Sequence, residues 1–181
     1  MTIFNLGNSL LLIVDLQEKL VNASYNKDLI IKKSSILTSA CKILNLPVFA
    51  SEQYPKGLGN TIECLIKNIP PQNIFEKTDF NALKNENLKQ AVLNEGCKQI
   101  ILCGIETHIC LYQTAMNLKE MGYDVTIISD CSGSRAELEH LSALQELRSN
   151  NISIKTTEMI LFELLKTAKH EKFKEVQALI K

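Results

Sequence analysis

The sequence predicts an α/β fold, an open parallel sheet with helices on both faces. Three observations point there. Short continuous apolar runs such as SLLLIV (9–14) and QIILC (99–103) recur, as strands covered on both sides require. Stretches with helical spacing alternate with these runs, the order in which crossover helices join parallel strands. Glycine or proline marks many of the changes, among them Pro47, Pro70–Pro71, Gly96 and Gly122.

The first strand covers 9–14 and ends in Asp15-Leu16-Gln17, and Asn22 to Asp28 reads as a polar loop. A helix over 27–45 follows, because Ile36, Leu37, Ala40, Cys41, Ile43 and Leu44 share one face. Pro47 stops it, and PVFAS is a short second strand. The run SEQYPKGLGNT (51–61) is an irregular loop, followed by a short helical piece over 61–67 that Pro70–Pro71 ends. NIFE (73–76) reads as a third strand leading into Lys77, and 84–95 as a helix stopped by Gly96. Strand four covers 98–103, a helix 110–121, and strand five 123–129. Ser134-Arg135-Ala136-Glu137 has the form of a capping box, which predicts a helix from Arg135 with Leu138, Leu141, Leu144 and Leu147 as its buried stripe. ISIKT (152–156) alternates as an edge strand does, and helices over 158–168 and 171–180 complete the chain.

With 181 residues, 45% of them hydrophobic, the expectation is one domain over 1–181. Twenty basic side chains balance twenty acidic ones, which gives nucleic acid or an anionic membrane surface no electrostatic footprint. A small-molecule substrate fits better. The N-terminal apolar run is too short to span a bilayer, is interrupted by Asp15 and has no basic region before it, so the expected location is the cytoplasm. None of the six cysteines forms a C-x-x-C pair, which suits a reduced compartment with mostly buried thiols.

In an open parallel sheet, residues just past the carboxyl ends of the strands converge on one crevice. Asp15, Lys77 and Cys110 hold such places after strands one, three and four. A carboxylate that takes a proton, a lysine that steadies anions and a thiol that attacks form a nucleophilic set. Cys110 stands where a loop becomes a helix, and the helix dipole there is expected to favour its thiolate. Each residue also has an ordinary role: a carboxylate capping backbone N–H groups, a solvated lysine, a small core thiol. A tyrosine-phosphatase loop is excluded, because Met116 and Glu137 stand where its arginine would follow Cys110 or Cys131. Zinc ligation by His108 and Cys110 lacks a second ligand pair, no glycine-rich phosphate loop is present, and no signature supports a Cys–His dyad with His108 or His140.

The stretches LLIVDLQEKL, SEQYPKGLGNT, FEKTDFNAL and GIETHICLYQTAMNLKEMGYDVTIISD resemble the isochorismatase-like cysteine hydrolases. EQYPKGLG (52–59) is similar to the isochorismatase domain-containing proteins, a subgroup without an assigned substrate. The resemblance implies a three-layer fold whose six parallel strands run in the order 3-2-1-4-5-6, and an Asp-Lys-Cys triad on Asp15, Lys77 and Cys110. It also implies a cis peptide at Ile105–Glu106 that turns the Glu106 N–H toward the Cys110 N–H, two donors forming an oxyanion hole. Nicotinamidases of the superfamily hold a metal on an Asp and several His after strand two. Here the matching loop has neither, so no metal or other cofactor is expected. Retention of the cysteine, often replaced where an enol ether is cleaved, favours covalent chemistry. The implied function is a metal-independent cysteine hydrolase that cleaves C–N bonds other than peptide bonds, in a small amide or related carbonyl compound, through a thioester. A non-catalytic ligand-binding or assembling member, or an enol-ether hydrolase, are the alternatives. Gln17, Gln53, Tyr54, Phe75 and His108 are candidates for the substrate pocket. A homo-oligomer, a dimer or larger, is expected from the same resemblance.

Overall fold

The five apolar residues Leu10–Val14 form the centre of the sheet and are fully buried. Burial of each such side chain contributes about 1.5–3 kcal/mol, which sets this segment as the axis of the core. The computed structural model describes residues 3–181. In chain order it has β1 (Ser9–Val14), α1 (Glu18–Ala23), α2 (Lys27–Ile43), β2 (Val48–Gln53), α3 (Pro55–Leu58), α4 (Glu63–Ile66), β3 (Ile74–Lys77) and α5 (Glu86–Asn94). There follow β4 (Gln99–Ile105), α6 (Tyr112–Glu120), β5 (Asp124–Gly133), α7 (Glu137–Ser149), β6 (Ser153–Lys155), α8 (Thr157–Leu165) and α9 (Phe173–Ile180).

The sheet has the order β3-β2-β1-β4-β5-β6, and all its pairings are parallel. Side chains alternate between its faces with the period of two that a pleated strand imposes. Leu11 and Ile13 of β1 join α2, α4, α8 and α9 in one core layer. Leu10, Leu12 and Val14 join α5, α6 and α7 in the other. The strand order reverses between β1 and β4, the kind of switch point outside whose carboxyl ends ligands of open α/β sheets bind.

Two features sharpen that end of the sheet. Gly104 has φ +139°, and a Cβ placed on it would lie 2.0 Å from the Val14 carbonyl oxygen. Only glycine allows β4 to approach β1 so closely beside the register shift between Leu102 and Gly104. Asp15, next after β1, has φ +53°, a left-handed conformation that costs an aspartate of order 1–3 kcal/mol and clusters at functional sites.

The structure corrects several expectations. The 22–28 region is not all loop: α1 runs through Ala23. β5 continues to Gly133, four residues past its expected end. The capping box does not form. α7 starts at Glu137, with Ala136 at its N-cap and no side-chain cap bond. Its buried face is His140, Ala143, Leu144 and Leu147, whereas Leu138 and Leu141 are 73% and 54% exposed. The physical reason is that a spacing of three falls about 60° short of a full turn at each step, so a row of four cannot stay on one face.

Candidate active site

Asp15 and Lys77 meet although two strand spacings separate β1 from β3, roughly 10 Å of backbone. A long side chain is needed to cross β2, and Lys77 supplies it. Its Nζ donates to Asp15 Oδ2 at 2.7 Å, to Gln53 Oε1 at 2.6 Å and to the Asp79 carbonyl at 3.1 Å. Three acceptors match the three protons of the ammonium. The Asp15 side chain is fully buried and the Lys77 side chain is 1% exposed. Ser51, between them on β2, donates its hydroxyl to Asp15 Oδ1 at 2.7 Å. Both carboxylate oxygens are thus fixed, as a buried charge requires.

Cys110 is the fourth residue of a wide π-type turn, Thr107–Leu111, that leads into α6. Such turns are frequent at functional sites. Its thiol is buried, and burial is the largest cause that pushes it up to about 12. The Asp15 charge pushes in the same direction, and Lys77 pulls the thiol back by less. The pull of the helix N-terminus toward the thiolate is opposed by that burial and by the Asp15 charge. The same burial pushes Cys41 up to about 12, and raises Cys103 and Cys131.

The Ile105–Glu106 peptide is cis. The Glu106 N–H makes no hydrogen bond to a described residue, while the Glu106 carbonyl accepts from the N–H groups of Ile109 and Leu111. The turn is tied to the segment between β5 and α7. Glu106 Oε1 accepts from the Arg135 N–H at 3.2 Å and from Arg135 Nε at 2.9 Å. Thr107 Oγ1 donates to the Gly133 carbonyl at 3.0 Å and lies 2.9 Å from His140 Nδ1. His108 Nδ1 lies 3.0 Å from Ser134 Oγ.

The isochorismatase domain family matches residues 9–159. The chain belongs to the isochorismatase family. Isochorismatase family protein 1A of Dictyostelium discoideum is 40% identical over 174 residues, 94% of this chain and 84% of that protein. Isochorismatase domain-containing protein 2 of Danio rerio is 38% identical over 174 residues, 95% and 86% of the two chains. Among solved structures, the MAR1 ribonuclease of Caenorhabditis elegans superposes with a TM-score of 0.93 at 34% identity, over 99% of this chain and 92% of that one.

Within this isochorismatase-family chain the five candidate pocket residues part company. Gln17 is buried and saturated: Nε2 donates to the carbonyls of Gln53 and Gly59, and Oε1 accepts from the Gln53 N–H at 2.7 Å. Gln53 in turn holds Lys77, and its Nε2 donates to the Thr78 carbonyl. Phe75, half-buried, packs against Phe49 with ring centres 6.3 Å apart. His108 is held by Ser134 beside the turn. Tyr54, left-handed at φ +38° and exposed, lines a cavity of about 460 Å³ with Lys56, Lys77, Asp79, Lys84 and Asn85. That cavity reaches Lys77 but not Cys110. Among the described residues no three His, Cys, Asp or Glu side chains gather as a metal-ligand set. Ser51, Thr107 and Arg135 were not marked by the sequence as site residues, and His140 was weighed there only as a dyad partner of a cysteine. Ser51 stands on β2 beside Gln53, but nothing in the sequence marks its hydroxyl as facing Asp15.

Proposed function

We propose that this chain is a single-domain cysteine hydrolase that cleaves a small amide or related carbonyl compound through a thioester on Cys110. The family suggests a hydrolase, and its members are commonly hydrolases. The observation that carries the finer reading is the Asp15–Lys77 pair, buried, saturated with hydrogen bonds and acting on the Cys110 thiol. Nothing in the packing of the sheet requires a lysine to cross a neighbouring strand to reach a carboxylate.

In this reading Asp15 accepts the thiol proton as sulfur bonds to the substrate carbon. The Glu106 and Cys110 N–H groups hold the resulting oxyanion. Asp15 returns the proton to the leaving nitrogen, the C–N bond breaks, and a thioester remains. Asp15 then takes a proton from water, which attacks the thioester, and the thiol is restored by that proton. Lys77 keeps the carboxylate aimed throughout. The reading needs no metal: SEQYPKGLGNT offers one carboxylate, and Glu52 Oε1 already accepts from Thr61 at 2.6 and 2.7 Å.

The proposed location is the cytoplasm; no helix among the described residues is long and apolar enough to cross a membrane. The homo-oligomer is part of the proposal, with Leu138 and Leu141 as exposed apolar positions on α7; light scattering of the wild type and of a Leu138→Ser/Leu141→Ser variant tests it.

The C. elegans relative bears the name of a ribonuclease. The zero net charge here does not favour a polyanion. The test is turnover of small amides, carbamates, isochorismate and an RNA oligonucleotide by wild type and Cys110→Ala. Release of amine or ammonia from an amide by wild type alone supports the proposal. Cleavage of isochorismate or RNA alone, or no turnover of any of them, counts against it.

A further inference from the structure

The turn that carries Cys110 is clasped residue by residue. Glu106, Thr107 and His108 each have a side-chain partner in the segment 133–140. The central tie is the most enclosed: Thr107 is fully buried and His140 is 4% exposed. Its chemistry assigns the imidazole tautomer. A threonine hydroxyl has one proton, and a carbonyl can only accept, so the 3.0 Å contact from Thr107 Oγ1 to the Gly133 carbonyl uses that proton. Toward His140 the same oxygen can then only accept, and Nδ1, 2.9 Å away, must carry a hydrogen. The His140 ring also packs against Tyr25, with ring centres 5.9 Å apart.

We propose that His140, with its proton on Nδ1, is a positioning residue that sets the Cys110 turn through the Thr107 hydroxyl and the Gly133 carbonyl. A neutral imidazole suits this place, since burial lowers its pKa. His140 lies on α7 and Gly133 ends β5, so the relay ties the turn to two elements at once. The exposed Glu106–Arg135 pair is a weaker brace, because Arg135 is 69% exposed and solvent screens it. The purpose of the relay rests on the reading of Cys110 as nucleophile; its existence does not.

Asparagine and glutamine separate the two ring nitrogens. Asn places its Nδ2–H near the position of His Nδ1, whereas Gln reaches toward Nε2. The experiment follows hydrogen exchange of the peptide spanning residues 107–111 by mass spectrometry, together with amide turnover, in His140→Asn, His140→Gln, Thr107→Ser and Thr107→Val. Thr107→Val keeps the volume, so it keeps the fold testable if a histidine variant fails. The expected result is exchange and kcat within about twofold of wild type for Asn and Ser. Gln and Val are expected to exchange about tenfold faster, the size of one lost buried hydrogen bond, with kcat reduced and KM little changed. Wild-type exchange in Thr107→Val, or equal behaviour of His140→Asn and His140→Gln, would overturn the proposal. Exchange needs no substrate, so faster exchange without any turnover would sink the hydrolase reading and leave the relay standing.

Discussion

Replacing Asp15 with asparagine is expected to make Cys110 easier to alkylate while it abolishes turnover. In the wild type the thiol is pushed up to about 12, with burial the largest cause and the Asp15 charge the next. Near pH 8 a thiol pushed up to about 12 is ionised in about one molecule in ten thousand. Asparagine removes the charge by which Asp15 favours the protonated thiol. Lys77 then loses its carboxylate partner, and its own pull on the thiol is the smaller of the two. The direction therefore follows from the larger effect of Asp15. Each unit by which the pKa falls raises the thiolate fraction about tenfold. A less basic thiolate is a weaker nucleophile, with a Brønsted slope of about 0.4–0.5, which takes back about threefold. The net gain is about threefold to fourfold in rate per unit. The assay is iodoacetamide labelling followed by peptide mass spectrometry, with the half-buried Cys64 as the internal reference, expected to react first in the wild type. Slower labelling of Cys110 in Asp15→Asn than in wild type would refute the reasoning, since it would mean that Asp15 maintains a thiolate rather than a thiol.

Lys77→Met strands a fully buried carboxylate with only the Ser51 hydroxyl, so a loss of about 3–5 kcal/mol is expected. At about 2–4 °C per kcal/mol for a chain of this size, Tm should fall by about 6–20 °C in calorimetry, and a fall under ~2 °C would contradict it. Gly104→Ala is expected to cost more than about 4 kcal/mol, because its Cβ would lie 2.0 Å from the Val14 carbonyl oxygen; a wild-type urea midpoint would show that β1 and β4 can part. His140 has its pKa lowered by burial, so the unfolded chain binds a proton near pH 6.5 that the folded chain refuses. Its contribution to stability is present above that pH and is lost as pH falls toward the lowered folded value. The drop in urea midpoint from about pH 7 to about pH 5 should be smaller in His140→Asn than in wild type, and an equal drop would assign the loss elsewhere.

The strands were legible because Leu10–Val14 and Ile100–Cys103 are apolar on both faces, which no exposed segment tolerates. The closeness of Asp15 and Lys77 was legible for a related reason: polar residues that end such runs gather at the carboxyl end of the sheet. Asp15 and Lys77 meet there at 2.7 Å. The enclosure of Cys110 was not legible, because position on a helix is visible in the sequence and burial is not. The start of α7 differs from the capping-box expectation because of a tertiary contact. Ser134 has the right spacing for a cap, but its hydroxyl contacts His108 and its carbonyl accepts from the Tyr25 N–H. A contact 26 residues away in sequence, at the Cys110 turn, displaced a local rule. The relay from Gly133 through Thr107 to His140 was invisible for the same reason, since three common residues on three elements carry no spacing signal.

The claim at the centre is a covalent bond between Cys110 and the acyl part of a substrate. Its most direct measurement is acid-quenched mass spectrometry of the Cys110 peptide during turnover of an amide found in the substrate panel. The expected result is an added mass equal to the acyl group, on Cys110 and on no other cysteine, absent in Cys110→Ala together with all turnover. Turnover at the wild-type rate by Cys110→Ala, with no adduct on the wild-type peptide, would contradict it.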